Sequence, residues 1–201
     1  MKEYKIVRTE GKINWELIPA LKAELQPWQK VEGIAMEQKL CCNEEGLHVY
    51  QLCTEKNIRA EVTEEFGQVC NDSCMEFFFA PVSGDERYIN FEINPNGSLC
   101  LGIGLGRADR IRLMPKDPKE LFKIETGRTD DGWFVRYTIP NEFIRTLFYG
   151  FKGFEAGMEI GANVYKCGNL TALPHYLTWN PMSCPKPDYH RSCDFGRMII
   201  E

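Results

Sequence analysis

The chain has 201 residues, 43% hydrophobic and 26% charged, enough apolar mass for one sizeable core beneath an ordinary soluble surface. Its formal charge of −5 gives no cationic footprint for nucleic acid or an anionic membrane, and no apolar run is long enough to span a bilayer. With no internal repeat or linker-like tract, residues 1–201 read as a single domain.

The opening MKEYKIVRTEGKINWELIPALKAEL lacks the apolar core of a signal peptide. The nine cysteines are odd in number and irregular in spacing, which argues against a disulfide framework. Together these predict a cytoplasmic protein. Residues 13–28 read as a short helical or irregular lead-in punctuated by Pro19 and Pro27. Residues 46–53 alternate apolar and polar positions and predict a strand, as do residues 58–62 on a smaller scale. Residues 74–81 and 87–94 predict a hairpin across the Gly84-Asp85 loop, and Asn94-Pro95-Asn96-Gly97 turns the chain into a strand over 98–105. Residues 121–126 and 133–139 flank a second hairpin signal at Asp130-Asp131-Gly132, with Trp133 on the core row. Asn141 is offered as the N-cap of a short helix through Phe148, and residues 159–166 and 197–200 close the pattern as strands. This order predicts an all-β protein, an antiparallel β-sandwich of immunoglobulin-like or jelly-roll-like type with one or two short helices. Residues 167–196, rich in proline, tyrosine, tryptophan and histidine, read instead as one long functional segment.

Side chains alternate across a strand, so Ile89, Phe91 and Ile93 share one face with Met75, Phe77 and Phe79. Glu76, Asn90 and Glu92 share the other, a floor able to exchange hydrogen bonds with a hydroxyl-rich ligand. The plain alternative is a solvated sheet face, with Arg136 merely offsetting the acids.

Asp72-Ser73-Cys74-Met75-Glu76, Tyr88-Ile89-Asn90-Phe91-Glu92, Gly132-Trp133 and the tail blocks Pro174-His175-Tyr176, Trp179-Asn180-Pro181, Pro187-Asp188-Tyr189-His190-Arg191 and Phe195-Gly196 resemble, in order and spacing, carbohydrate-binding module family 9. The resemblance covers essentially the whole chain and implies a DOMON-like β-sandwich that binds a mono- or oligosaccharide without catalysis. Relatives hold sugar ends of plant polysaccharides between two tryptophans and often accompany xylanases, so the resemblance implies an association with polysaccharide breakdown. It places Glu76 on the sugar and Trp179 as one stacking face. The residues themselves add Asn90 and Glu92 from the polar row, Tyr189 as a ring beside Trp179, and His190 and Arg191 as hydrogen-bonding groups of the tail toward backbone or ligand. The second tryptophan, expected just before Glu76, is missing from Gln68-Val69-Cys70-Asn71; Tyr176, Tyr189 or Phe66 are the candidate substitutes.

Competing chemistries find less support. A glycoside hydrolase would use Glu76 and Glu92 as its carboxylate pair, but no other catalytic signature accompanies them. A protein-interaction sandwich without a sugar is the third class. Cys184-x5-His190-x2-Cys193 matches no zinc motif. No cofactor is expected from the residues; the resemblance implies structural calcium in some members, while Asp85, Glu86, Asp130 and Asp131 are sufficiently explained as turn residues. Gly102-x-Gly104-x-Gly106 lies in strand-like sequence with no following helix, so it is not a nucleotide fingerprint.

Overall fold

The computed structural model describes every residue except Glu65. Two β-sheets face each other. The front sheet runs β8 (Ile111–Leu113), β7 (Leu99–Gly104), β6 (Tyr88–Ile93), β5 (Cys74–Ala80), β11 (Glu159–Gly168) and β13 (Gly196–Ile200), with β12 (His175–Thr178) sharing an edge of β11. The back sheet runs β3 (Ala35–Cys42), β4 (Gly46–Thr54), β10 (Gly132–Pro140) and β9 (Glu125–Arg128), with β2 (Ala20–Ala23) beside β3. One strand, β1 (Glu3–Arg8), joins the two: its first four residues pair with β13 and its last two with β3, both in parallel. The other pairings are antiparallel, as expected of the sandwich, and β1 is the exception.

The core lies between the sheets. Met75, Phe77, Phe79, Ile89 and Phe91 from the front meet Leu40, Val49, Trp133, Val135 and Ile139 from the back. These are the apolar rows of strongly alternating strands, and burial of about 1.5–3 kcal/mol per large side chain is what fixes their register. Helices α1 (Pro118–Leu121) and α2 (Asn141–Leu147) are the two short helices, and Phe122, Ile144 and Phe148 pack against the core.

Five local expectations change. Residues 13–28, expected as a helical or irregular lead-in, hold strand β2, which pairs with β3. Residues 58–62 form no strand, because the amides of Glu61 and Val62 donate to the buried Asp72 carboxylate (2.9 and 2.8 Å) rather than to a neighbouring strand. Asp117 caps α1 by accepting from Glu120 N at 3.0 Å, so β9 begins only at Glu125. Asn141 lies inside α2, not at its cap; Pro140 precedes the helix and the Asn141 amide donates to Glu44 O. Residues 167–196 contain β12 and a 3-10 turn (Ser192–Asp194) and fold back over the outer face of the front sheet.

Candidate functional site

That covering segment turns a sheet face into a cavity. The outward row of β5, β6 and β11 is not solvated: Cys74, Phe78, Tyr88, Tyr165 and Cys167 form a second apolar cluster with Tyr189 and Phe195 from above. Within it a cavity of about 220 Å³ remains open, lined by Glu76, Glu92, Arg107, Arg110, Tyr176, Asp188, Tyr189 and His190, with Cys70, Cys167, Asn169 and Pro187 completing the wall.

Glu76 and Glu92 are directly opposed across β5 and β6 and form the floor. Their surroundings differ. Arg110 Nη1 donates to Glu92 Oε1 at 3.1 Å, and Asn90 Nδ2 donates to the same oxygen at 3.0 Å. Glu76 has no guanidinium; its Oε1 accepts from the Cys167 thiol at 2.9 Å. Burial, reinforced by the nearby Glu92, pushes the Glu76 carboxyl up to about 8, so it is protonated near neutral pH. Burial pushes Glu92 up as well, with Arg110 opposing.

His190 closes one side. Burial, with Arg110 and Arg107 nearby, drives its pKa down to about 2, so the ring is neutral. Arg110 can only donate, and its Nη1 lies 2.8 Å from Nε2, so Nε2 is the acceptor and the Nδ1 proton goes to Tyr88 Oη at 2.9 Å. At the mouth, Arg107 Nη2 donates to Asp188 at 2.9 Å, and the same carboxylate accepts from His190 N. Tyr189 is rigid: its ring stacks on Tyr165 with centroids 4.0 Å apart and its hydroxyl points to the carbonyls of Lys166 and Leu177. Tyr176 is only partly buried, edge-on to Trp28 at 6.0 Å.

The structure thus brings Glu76, Glu92, Tyr176, Tyr189 and His190 together on one cavity. Asn90 sits one layer back, orienting Glu92 and Arg110. Three residues go elsewhere. Trp179 is 4% exposed, belongs to the core between the sheets, and packs so closely on Gly196 that a Cβ there would lie 2.6 Å from the ring; it offers no open face. Arg191 pins the turn at 192–194 through Asp194 at 2.9 Å. Phe66 lies under the Arg112 guanidinium, off the cavity.

Arg107 and Arg110 were not legible as site residues, although the glycines before them carry the signal. Gly102 and Gly104 face outward opposite Asn90 and Tyr88. A Cβ on Gly102 would lie 2.7 Å from Asn90 Oδ1, and one on Gly104 would lie 2.4 Å from Arg110 Cα. A bare strand face lets the 105–110 segment cross close above it and deliver Arg110. Asp72 and Ser73, two residues of the motif before Glu76, lie off the cavity. They tie down residues 59–62, through the Asp72 bonds above and a Ser73 Oγ that accepts from Arg59 N and donates to Glu55.

The model of carbohydrate-binding family 9 matches residues 28–200. The chain belongs to that family. It is a carbohydrate-binding domain, and the covering segment and both cavity carboxyls fall inside the matched range. Among curated proteins none is significantly similar in sequence. Among solved structures, a Bacteroides uniformis protein provisionally assigned to carbohydrate binding superposes with a TM-score of 0.83 at 22% identity, over 100% of this chain and 99% of that one. A family 9 module from Caldicellulosiruptor kristjanssonii in complex with glucose gives 0.69 at 11% identity, over 100% and 96%. The same source's module in complex with cellotriose gives 0.68 at 11%, over 100% and 94%. These likenesses establish the fold of the family 9 domain as a β-sandwich.

Among the described residues, no cluster of side-chain carboxylates matches the calcium implied for some family 9 members. The Asp85 carboxylate is taken by Arg87, and the one group of three or more candidate ligands among the described residues is Cys74, Glu76 and Cys167, a thiol-rich set that calcium does not favour.

Proposed function

We propose that the cavity on the outer face of the front sheet is the sugar site, and that it holds one neutral sugar unit, free or at the end of an oligosaccharide. One observation carries this reading: a partly open tyrosine ring, Tyr176, lines a cavity of about 220 Å³ together with two buried carboxyls and a guanidinium. That size lies below the roughly 300–1,000 Å³ of drug-sized pockets and suits a single ring. The C–H face of a pyranose covers an aromatic ring while its hydroxyls point to polar groups. Protonated Glu76 supplies a donor, and Glu92, held by Arg110, an acceptor. The Arg107 and Arg110 charges are matched by Asp188 and Glu92, which favours an uncharged ligand.

The structural neighbours bound to glucose and cellotriose name the first ligands to try. Calorimetric titration should give saturable binding in the micromolar to millimolar range, on the order of −4 to −8 kcal/mol. The affinity should drop at least tenfold in Glu92→Gln and remain in Trp179→Phe. Absence of heat with glucose, cello- and xylo-oligosaccharides alike would remove the proposal. An aryl glycoside belongs in the same series. Release of product that Glu76→Gln abolishes would make the carboxyl pair catalytic instead.

A further inference from the structure

Sugar recognition accounts for Glu76 but not for the thiols beneath it. Cys74 and Cys167 are directly opposed across β5 and β11, and Glu76 lies two residues along β5 on the same outward face. The two sulfurs and a carboxylate oxygen all lie within 4.8 Å of one another, and all three residues are buried. Four of the nine cysteines gather here, for Cys70 and Cys100 also lie on or beside this face and Cys70 lines the cavity.

A buried cysteine is most often a small hydrophobe, and Cys42 and Cys53 fit that description in the core. Cys167 does not. Its sulfur is aimed at a carboxyl oxygen at 2.9 Å, and the residue lines an open cavity. We infer that Cys74, Cys167 and Glu76 form a binding site for a thiophilic divalent cation of the zinc class, with its fourth position open to the cavity.

The geometry fits. A tetrahedral ion with bonds of about 2.3 Å to sulfur and 2.0–2.2 Å to oxygen needs donor atoms roughly 3.5–3.8 Å apart, within the observed spread. Two adjacent antiparallel strands supply the donors, so the set is held by backbone pairing and not by a flexible loop. The cavity gives the entry path, reaching Cys167 and Glu76 directly. Three protein ligands and an open position is the pattern of zinc sites that keep a water or substrate oxygen.

The two guanidiniums at the cavity are already engaged, Arg110 by Glu92 and His190 and Arg107 by Asp188. A divalent ion bound there would displace the protons of Cys74, Cys167 and Glu76 to solvent and offset two of the three negative charges left on the ligands.

The test uses the whole chain, reduced and stripped with a chelator, titrated with Co²⁺ and then Zn²⁺. A thiolate-to-cobalt charge-transfer band should grow to one equivalent and collapse on addition of zinc. Cys74→Ser and Cys167→Ser should each lower zinc affinity by at least roughly 100-fold, since even second-layer changes cost 10–100-fold. Glu76→Gln keeps the shape and both thiols and should weaken binding while leaving the band. Cys193→Ser, an exposed thiol, should change nothing. Circular dichroism confirms that each variant is folded. No band at all, or a band that survives both Cys74→Ser and Cys167→Ser, overturns the inference. Sugar titrations in excess chelator keep the two proposals apart, because each can fail while the other signal stays.

Discussion

On the front sheet the outward residues of β5 and β6 include Glu76, Phe78, Tyr88, Asn90 and Glu92, and on the back sheet those of β4 and β10 include Tyr50, Phe134 and Arg136. Both rows mix rings with charges, and both obey the same alternation. On the back sheet Arg136 lies over the rings of Tyr50 and Phe134 and pairs with Glu125 at 2.6 Å, with side chains 39% and 59% exposed. On the front sheet the Arg110–Glu92 pair is 17% and 6% exposed, because residues 167–196 close over it. The difference is the cover and not the pattern. A charged residue on an open face can be removed at little cost, whereas the same residue type under a lid becomes part of a site.

The sharpest test of that contrast is to delete the arginine on each face. Arg110→Ala leaves the Glu92 carboxylate buried without its partner, which should cost about 3–5 kcal/mol of stability and most of the sugar affinity. Arg136→Ala removes an exposed pair and should cost no more than about 1 kcal/mol, with sugar binding untouched. Urea unfolding and calorimetry of the two variants give both numbers. Equal losses would show that the cover does not set the electrostatic environment.

Trp179 separates core from site. Truncation to alanine should cost about 3–5 kcal/mol in urea unfolding, the range for a buried aromatic. Loss of sugar binding at unchanged stability would place the site on the wrong face.

Beside β11 lies a second buried network, which joins Lys166, Glu55 and His175 of β12. Lys166 Nζ, fully buried, contacts Glu55 at 3.1 Å and donates to His175 Nε2 at 2.6 Å, so His175 donates from Nδ1 to Leu173 O at 2.7 Å. Burial and then the Lys166 charge lower His175 to about 4. A histidine whose folded pKa lies below its unfolded 6.5 contributes stability above pH 6.5 and loses it as pH falls toward 4. Wild type should therefore forfeit up to roughly 3 kcal/mol from this group across that window. The stability gap between wild type and His175→Gln should shrink as pH falls from 6.5 to 4. A gap that stays constant would mean that His175 is not held neutral.

The glycines of β7 test how the cover was fitted. Gly102→Ala places a methyl 2.7 Å from Asn90 Oδ1, a side chain that can give way, so about 1–3 kcal/mol and a weakened sugar site are expected. The exposed Gly84, with open space around its Cβ position, lies away from the site; its φ of +84° makes substitution there a matter of backbone strain alone, and Gly84→Asn should leave sugar affinity unchanged.

Much of this was legible in the sequence, for identifiable reasons. Alternation in residues 74–80 and 88–93 sets which side chains share a face, so Glu76, Asn90 and Glu92 could be grouped before any coordinates. Strands β1, β2 and β3 escaped notice because their pattern is short or mixed, and Cys41 is buried on the row that alternation marks as outward. Trp179 misled because ring type says nothing about whether a face is open. Arg110 was missed because its role depends on a close approach over Gly104, a contact between segments that strand periodicity does not encode. The solvated-face alternative for β5 and β6 fails for the same reason: periodicity reports a face, and only the path of residues 167–196 decides what lies on it.

The smallest effect bears most directly on the ring that replaces Trp179 in the proposed role. Tyr176 is half-buried at the cavity wall, and Tyr50 is half-buried on the back sheet against Trp15 and Phe134. Each has aromatic neighbours, so Tyr→Leu removes similar packing in the two places, about 0.5–1.5 kcal/mol. If only the covered face stacks sugar, Tyr176→Leu lowers affinity between about two- and twelve-fold while Tyr50→Leu leaves it at the wild-type value. Calorimetry with cellotriose resolves such a difference. A loss confined to Tyr50→Leu would move the ligand to the open face and reverse the comparison between the two sheets.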